Sequence, residues 1–310
     1  MTRRFIATGH LDYLSHSMGA RAEHYARTIA NYWTPPGPFV EATRSLHTAV
    51  GGAVPLVGVG QISVPDLAED LVAQGCCELV GMTRAQIADP DLVRKLAGDV
   101  AGPVRPCVHA NQGCVDRVGL GAPITCFHNP DVGQEATIEG RPPAGGVLNI
   151  LVAGGGGPAG LKAAEAARLR GHHCVVYEAA PGLGGRLALL TGAGPAEELA
   201  ESTRWLAVEL IRLGAAVHCG RTVDRQLLAA VDPDAVVLAT GATPVPHELG
   251  PHDGSIRIVS PEVVMASASA GELAGQRVVV VDNLGNHDVG ACRGLCGTWV
   301  AVPHLSPTWW

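Results

Sequence analysis

The sequence lacks long apolar runs, and it is poor in aromatic residues, which make up 4% of the chain. No apolar segment reaches the ~20 residues that a membrane-spanning helix needs, and the N-terminal residues carry no apolar stretch typical of a targeting signal. The net charge is −7, from 22 basic and 29 acidic residues, without a basic stripe. We therefore expect neither a membrane nor a nucleic acid as partner, and we expect a cytoplasmic location.

The sequence is rich in glycine and aliphatic residues instead. It contains 40 glycines among 310 residues and is 47% hydrophobic, a composition typical of α/β proteins with many tight turns between strands and helices. The length fits about two domains. Its 9 cysteines are irregularly spaced. Without a secretion signal they indicate reduced thiols or metal ligands, because disulfide frameworks are typical of secreted chains.

Residues 11–98 alternate short apolar runs with helical stretches, the pattern that predicts βα units and a parallel sheet. The predicted strands lie in LDYLSHSMG, VPLVGVGQI and CELVGMTRA. Between the second and third strands, VPDLAEDLVAQG has helical apolar spacing, with Pro65 at the helix start and Gly75 at its end. After the third strand, DPDLVRKLAG repeats the helical pattern.

Two of the predicted strand ends carry residues suited to a phosphate group. Gly60 follows the second strand, and GMTRA places small residues and Arg84 directly after the third. Backbone N–H groups and a guanidinium fork bind a phosphate dianion well, and barrel enzymes commonly hold phosphate in the loops after their last strands. An ordinary βα turn with a surface arginine is the alternative interpretation.

Three cysteines, Cys107, Cys114 and Cys126, lie in RPCVHANQGCVDRVGLGAPITCFHNP. An iron–sulfur cluster is held by thiolates from a tight, glycine-containing turn, with a last thiolate from a nearby segment. These cysteines are therefore candidate metal ligands. Three buried thiols without a metal are the alternative, since cysteine is among the most buried residue types.

The cysteine segment resembles that of the old yellow enzyme-like NADH:flavin oxidoreductases, the 2,4-dienoyl-CoA reductase and trimethylamine dehydrogenase group. The family motif reads C-I-G-C-N-Q-x-C, followed by C-x-x-N-P, and Ala110 stands here at the second cysteine. The resemblance implies a [4Fe–4S] cluster on Cys107, Cys114 and Cys126, with one ligand replaced by Ala110. A cluster with one iron lacking a thiolate would become labile, lose that iron to leave three, or recruit a substitute ligand such as water or the adjacent His109.

The segment before the cysteines, VPLVGVGQISVPDLAEDLVAQGCCELVGMTRAQIADPDL, resembles the last two βα units of the family's barrel. By that resemblance the phosphate of FMN would be bound by Gly60, Met82, Thr83 and Arg84. A complete barrel needs ~250 residues, so only about strands six to eight have a counterpart here. The loop with Arg21, His24 and Tyr25 corresponds to a region where relatives place a substrate-side proton donor.

A second nucleotide pattern follows in VLNILVAGGGGPAGLKAAEAARLRGHHCVVYEAAPGLGG. An apolar strand runs into Gly155, Gly157 and Gly160 in G-x-G-x-x-G spacing, followed by an alanine-rich helix, a second strand and Glu178. The first glycine makes the tight turn, the second lets the backbone approach a pyrophosphate, and the third packs helix on strand. Glu178 would accept hydrogen bonds from ribose hydroxyls. A purely structural glycine turn is the alternative.

Two later segments favour FAD as the dinucleotide. PGLGGRL, with Gly185 and Arg186, resembles the second FAD contact of the pyridine-nucleotide disulfide reductase-like fold. DAVVLATGATP, with Thr240 and Gly241, resembles the A-T-G segment that passes close to FAD in such flavoproteins. These residues are therefore expected to bind FAD together with the glycine-rich turn.

The predicted fold class is α/β: the C-terminal part of a (β/α)8 TIM barrel followed by a Rossmann-like FAD/NAD(P)-binding domain, both incomplete. The predicted segments are 1–104 with three βα units, 105–146 with the cysteine motif and linker, 147–288 with the Rossmann-like domain, and 289–310 as an aberrant tail. The tail has no helical or alternating period, and we expect a truncated or frameshifted end. Cys292 and Cys296 imitate a metal pair but have no matching second pair.

The family resemblance implies a flavin-dependent oxidoreductase. FMN would exchange electrons with a small organic substrate, an enoyl thioester or an N-methylated amine, the cluster would relay single electrons, and FAD would exchange hydride with NAD(P)H. A homo-oligomer, or a further chain that completes the barrel, would then be a partner. The alternative is a catalytically inactive remnant that retains at most FAD binding, because an open three-stranded barrel leaves a sheet edge and a core uncovered.

Overall fold

The computed structural model describes residues 2–17, 29–139, 145–190, 194–243, 255, 257–269, 278–282 and 299–303. The chain divides into two compact units, residues 1–142 and 143–310. This division falls in the predicted linker, and the finer layout into four segments stays a prediction. The expectations for Arg21, His24 and Tyr25, and for Cys292 and Cys296, concern residues outside the described ranges.

The first unit is built from short helices and strands that alternate along the chain. They are α1 (Thr2–Ile6), β1 (Leu14–Ser15), α2 (Val40–Val50), β2 (Leu56–Gly58), α3 (Pro65–Ala73), β3 (Leu79–Val80), α4 (Thr83–Ala88), α5 (Leu92–Leu96), α6 (Val115–Gly119) and α7 (Glu135–Glu139). The strands form a parallel sheet in the order β1-β2-β3, with Leu14 opposite Leu56 and Val57 opposite Leu79. This confirms the predicted βα units.

The core of the first unit lies around β2. Leu56 is fully buried and packs with Leu71 of α3 and with the adjacent Cys76 and Cys77. α3 begins at Pro65. Proline suits the first position of a helix because the backbone N–H there would make no hydrogen bond within the helix. Leu67, Ala68 and Leu71 of α3 pack against this core. Because the strands are parallel, the loops that follow them lie at one end of the sheet.

The second unit contains the longer elements of the described chain. They are β4 (Asn149–Ala153), α8 (Pro158–Leu169), β5 (His173–Tyr177), two 3₁₀ segments (Gly185–Leu190 and Gly194–Ala200), α9 (Glu201–Arg212), β6 (Ala216–His218), α10 (Arg225–Val231), β7 (Ala235–Leu238), α11 (Pro261–Ser269), β8 (Val278–Asp282) and β9 (Trp299–Pro303). α8 and α9, of 12 residues each, are the longest described helices. No helix among the described residues is long and apolar enough to cross a membrane.

Four parallel strands of the second unit form one sheet in the order β6-β5-β4-β7. Val152 and Val176 are fully buried between this sheet and the helices α8 and α9, where Trp205 and Leu210 complete the apolar core. β4 pairs with β5 on one side and with β7 on the other. The chain runs from β4 through β5 to β6 on one side and then crosses to β7 on the other. The carboxyl end of β4 is therefore the switch point at which such sheets bind nucleotides.

The tail differs from the expectation of a segment without periodic structure. Trp299–Pro303 forms β9, which pairs in parallel with β8. The two strands are in register from Val278 opposite Trp299 to Asp282 opposite Pro303. The 5 residues of WVAVP have no alternating period, so it is their pairing with β8 that identifies the strand.

Candidate flavin and cysteine sites

A cavity of about 480 Å³ lies in the first unit, where the chain leaves β1, β2 and β3. Gly60, Thr83 and Arg84 line it together with His109 and Cys114 of the cysteine segment. The structure therefore brings three of the residues predicted to bind the FMN phosphate to the same cavity as one predicted cluster ligand. Met82, the fourth residue predicted for the phosphate, packs its side chain against the apolar core around β2.

Gly60 is required by the fold of this cavity. Its φ of +115° lies in a region that glycine adopts far more readily than other residues. A Cβ at this position would lie 2.3 Å from Cδ2 of Phe39, which is itself buried and lines the cavity. Gly60 thus lets the Phe39 ring pack against the loop after β2. This packing is enough to explain a glycine at position 60, whether or not a ligand binds there.

Arg84 offers a guanidinium that is anchored on one side. Its Nη1 donates to the carbonyl oxygen of Ala30 at 2.6 Å and to Oδ1 of Asn111 at 2.8 Å. Both hydrogens of Nη1 are thereby used, and Nε and Nη2 donate to no acceptor within the described ranges. That edge of a guanidinium is a fork of parallel N–H groups that suits a bidentate phosphate contact. The donor set of Arg84 therefore fits a phosphate group.

The turn between Cys107 and Cys114 has an unusual backbone. His109 and Asn111, on either side of Ala110, have φ values of +45° and +61°, in the left-handed region that few non-glycine residues adopt. The Asn111 carbonyl accepts hydrogen bonds from the backbone N–H groups of Cys114 at 3.2 Å and of Asp116 at 3.3 Å. Backbone strain of this kind concentrates at functional sites, where packing and hydrogen bonds hold it in place.

The Cys107 thiol is buried close to the other two predicted cluster cysteines. Burial is the main reason that the pKa of Cys107 is raised to about 12; a backbone hydrogen bond from His109 and the charge of Arg84 act to lower this pKa, and the nearby Cys126 and Cys114 thiols act to raise it. Among the described residues, no three His, Cys, Asp or Glu side chains surround a position for a single metal ion. A four-iron cluster holds its thiolates farther apart than one ion does. The cluster on Cys107, Cys114 and Cys126 therefore stays a prediction.

Sequence reasoning missed the polar residues that fix the cysteine segment. Asp89 accepts the backbone N–H of Arg105, and Asn129 donates from Nδ2 to the Ile87 carbonyl. His128 pairs through Nδ1 with the carbonyl of Pro106. Of these residues, only Asn129 belongs to the C-x-x-N-P motif. The motif did not indicate that Asn129 would contact the Ile87 carbonyl.

The glycine-rich turn of the second unit is tightly packed at most of its positions. A Cβ at Gly155 would lie 2.3 Å from Cγ1 of Val176, and a Cβ at Gly160 would lie 2.4 Å from Cα of Gly155. Gly154 has φ +69°, and its Cβ would lie 2.6 Å from Cα of Thr240. The turn therefore packs directly against β5, its own helix and the predicted A-T-G segment, which the pairing of β4 with β7 brings beside it.

Gly157 is the exception in this turn. Its φ of −84° and ψ of 173° are ordinary extended values, and a Cβ there would have Gly185 Cα as its nearest contact, at 3.9 Å. Neither the backbone nor the packing of the described chain requires glycine at this position. A glycine that the fold does not need is the arrangement expected where a ligand approaches the backbone closely.

Glu178 and Arg186, predicted to bind FAD, already contact the protein. The Glu178 carboxylate accepts the backbone N–H groups of Gly156 and Ala180, both at 2.8 Å. Arg186 forms an ion pair with Glu262 of α11. Gly184 N–H donates to the Gly156 carbonyl at 2.7 Å. The structure thus places the predicted second FAD contact directly beside the glycine-rich turn.

Comparison with known families agrees with this geometry. Residues 12–101 match the NADH:flavin oxidoreductase / NADH oxidase family, and residues 154–195 match the NAD(P)-binding Rossmann-like domain. The chain belongs to the old yellow enzyme-like NADH:flavin oxidoreductases, as its motifs predicted. The prediction that the chain comes from a family of flavin- and NAD(P)-binding proteins is therefore confirmed.

The similar proteins are much longer than this chain. N,N-dimethylglycine/sarcosine dehydrogenase of Chromohalobacter salexigens is 36% identical over 247 residues, covering 77% of this chain and 35% of that protein. NADH oxidase of Thermoanaerobacter brockii is 36% identical over 193 residues, covering 62% and 30%. The chain thus spans about a third of the length of these curated relatives.

A solved structure confirms the fold class. The 6-hydroxypseudooxynicotine amine oxidase of Pseudomonas geniculata N1 matches with a TM-score of 0.82 over 97% of this chain and 46% of that one, at 24% identity. The predicted α/β architecture, part of a TIM barrel followed by a Rossmann-like domain, is therefore confirmed.

Proposed function

We propose that this chain is part of a flavin-dependent oxidoreductase that passes electrons between NAD(P)H and a small organic substrate, and that its second unit binds FAD. The observation that carries the proposal is Gly157, a glycine in the nucleotide turn that the fold itself does not require. Flavins supply the hydride and electron transfer in such enzymes. The named relatives, a dimethylglycine/sarcosine dehydrogenase and an NADH oxidase, fit this reaction class.

The FAD site would consist of the glycine-rich turn and the segments that pack against it. Gly155 and Gly160 keep the turn tight, and Gly157 leaves room for the pyrophosphate at the start of α8. Each Glu178 oxygen accepts one protein hydrogen bond, and a carboxylate oxygen can accept a second one, here from a ribose hydroxyl. Gly185 would line the same site.

Thr240, Gly241 and Arg186 would complete the FAD site. Thr240 lies against Gly154 of the turn, and Gly241 has φ +75°, with open space where a Cβ would point. The ion pair with Glu262 would hold Arg186 beside the flavin dinucleotide. These roles rest on the proximity of each segment to the turn.

In the first unit, we assign the FMN phosphate to the cavity lined by Gly60, Thr83 and Arg84. The Nε and Nη2 edge of the Arg84 guanidinium, which donates to no described residue, would form the bidentate contact. The backbone of Met82 and Thr83 would add N–H donors at the start of α4. An iron–sulfur cluster would be held by Cys107, Cys114 and Cys126, with Ala110 at the place of a fourth thiolate. The protein residues here orient and bury the carriers, and they set the potentials through hydrogen bonds and burial.

A second candidate function is an inactive remnant that retains only FAD binding. The observation in its favour is that the described sheet of the first unit has three strands, and Leu79 of its edge strand β3 is 55% exposed. An enzyme would then need a homo-oligomer or another chain to cover this surface. A substrate of the enoyl thioester or N-methylated amine class would bind only where the barrel is completed.

Cofactor content distinguishes the two candidates. The chain would be purified without oxygen, its released flavin identified by chromatography and its iron measured per polypeptide. FMN, FAD and iron together are expected for the oxidoreductase. FAD without FMN or iron would favour the remnant, and a chain that binds no FAD after incubation with it would contradict both.

A further inference from the structure

We propose that Asn111 is a positioning residue for phosphate binding: its side-chain amide holds the Arg84 guanidinium in the orientation that leaves the Nε and Nη2 edge available to a phosphate monoester. The inference rests on the proposed FMN site and goes beyond it, because it gives a residue of the cysteine turn a role in recognising the phosphate. It follows that the predicted FMN site and the predicted cluster site would both depend on the hydrogen bond between Arg84 and Asn111.

The amide of Asn111 has one favourable orientation. Its Oδ1 accepts from Nη1 of Arg84 at 2.8 Å, and its Nδ2 donates to the Ile29 carbonyl at 3.0 Å. A flipped amide would set its NH₂ group against the guanidinium N–H groups and its oxygen against a carbonyl, losing both hydrogen bonds. The acceptor is therefore fixed in place before any ligand binds.

The backbone of Asn111 is fixed as well. Its carbonyl accepts the N–H groups of Cys114 and Asp116, and the Cys114 thiol lies 3.8 Å from the same oxygen. The left-handed φ of +61° suits asparagine better than most residues. The side chain that holds Arg84 thus projects from a turn whose conformation is set by the cysteine segment.

Loss of this amide should affect the phosphate specifically. Without Oδ1 of Asn111, Nη1 of Arg84 would keep the Ala30 carbonyl as its acceptor, and the guanidinium plane would be free to turn about that one contact. A donor pair that must be ordered on binding contributes less affinity than one already in place. Removing one hydrogen bond to a charged group corresponds to roughly a tenfold loss of affinity.

FMN and riboflavin form a matched pair of probes, because they differ only in the phosphate. The full-length chain would be titrated with each, following flavin fluorescence, in the unchanged protein and in Asn111→Gly, Arg84→Gln and Asn129→Ala. Glycine at 111 adopts the left-handed backbone without strain and lacks the amide. Asn129→Ala is the control, since Asn129 also ties the cysteine segment to a backbone carbonyl but does not contact Arg84.

We expect Asn111→Gly to weaken FMN binding about tenfold with riboflavin binding unchanged, and Asn129→Ala to leave the FMN-to-riboflavin affinity ratio as it is. If Arg84→Gln lowers that ratio and Asn111→Gly does not, or if Asn111→Gly weakens both flavins equally, the positioning role is wrong while the phosphate site stands. If the unchanged chain shows no preference for FMN over riboflavin, the phosphate site itself is wrong, and the inference falls with it.

Discussion

Oδ2 of Asp89 lies 2.7 Å from the ammonium nitrogen of Lys95, and both side chains are largely buried, at 4% and 14% exposure. The same oxygen accepts the backbone N–H of Arg105, two residues before Cys107, at 2.7 Å. Lys95 also donates to the carbonyl of Pro103 at 3.2 Å. One buried ion pair therefore fixes the chain at the point where it enters the cysteine segment.

Replacing this carboxylate should destabilise the first unit strongly. In Asp89→Ala the Lys95 ammonium would stay buried without its counter-ion, and Arg105 N–H would lose its acceptor. Breaking one partner of a buried pair costs about 3–5 kcal/mol. Urea unfolding followed by circular dichroism should show a loss of that size.

The neighbouring Asp91 provides the control for this prediction. Asp91 pairs with Arg94 at 2.8 Å, with side-chain exposures of 41% and 63%, and an exposed pair contributes roughly 0–1 kcal/mol. Asp91→Ala should therefore unfold close to the unchanged chain. If both variants lost the same free energy of unfolding, burial would not be the reason that the Asp89–Lys95 pair stabilises the first unit.

Gly157→Ala should remove FAD binding without unfolding the second unit. The backbone at 157 is ordinary and a Cβ has ordinary van der Waals room, so the fold tolerates alanine, whereas a pyrophosphate pressed against the backbone does not. We expect FAD to bind at least about tenfold more weakly, measured by flavin retained after gel filtration, with the thermal midpoint unchanged.

Gly160→Ala is the opposite case. Its Cβ would lie 2.4 Å from a backbone atom of Gly155, so the helix α8 would have to move away from the turn. The thermal midpoint should fall together with FAD retention. If Gly157→Ala instead retains FAD as well as the unchanged chain does, the dinucleotide is not bound at this turn.

The βα units of the first unit and the turn between β4 and α8 could be predicted from the sequence because they depend on local patterns. Apolar spacing, Pro65 and Gly75 predicted α3, and the G-x-G-x-x-G spacing predicted the turn between β4 and α8, with Gly160 packing on Gly155. Such signals lie within a few residues of the structure they specify.

The contacts that support the sites could not be predicted in the same way. Arg84 and Asn111 are 27 residues apart, and Asp89 and Arg105 are 16 apart, so their pairing depends on how loops fold back in three dimensions. β9 was missed for a similar reason, since a strand of 5 residues is recognisable mainly through its partner β8. Long-range pairing carries little local signal.

The stability of the first unit should fall on mild acidification because of His16. Its Nε2 lies 2.7 Å from the Thr43 hydroxyl, which itself donates to the Phe39 carbonyl and so accepts from the imidazole. Burial lowers the pKa of His16. As the pH falls below about 6.5, the unfolded chain takes up a proton before the folded chain does, so the free energy of unfolding decreases.

His16→Gln keeps a donor for Thr43 and removes the titrating group. The decrease in the free energy of unfolding between about pH 6.5 and pH 5, measured with urea at each pH, should be shallower in this variant. An identical pH dependence in both chains would mean that His16 does not contribute to acid sensitivity.

Ala110→Cys should increase the iron that the chain can hold, if the three cysteines converge on one cluster. Ala110 is 6% exposed and lies between His109 and Asn111, which both have left-handed φ values. A thiol at this buried position would supply the fourth thiolate that a cubane cluster requires. Iron and sulfide per polypeptide, measured after anaerobic reconstitution, should both rise relative to the unchanged chain. Ala122→Cys, which adds a thiol to the same segment outside the motif, should not raise them, and equal iron in Ala110→Cys and the unchanged chain would show that position 110 does not face a cluster.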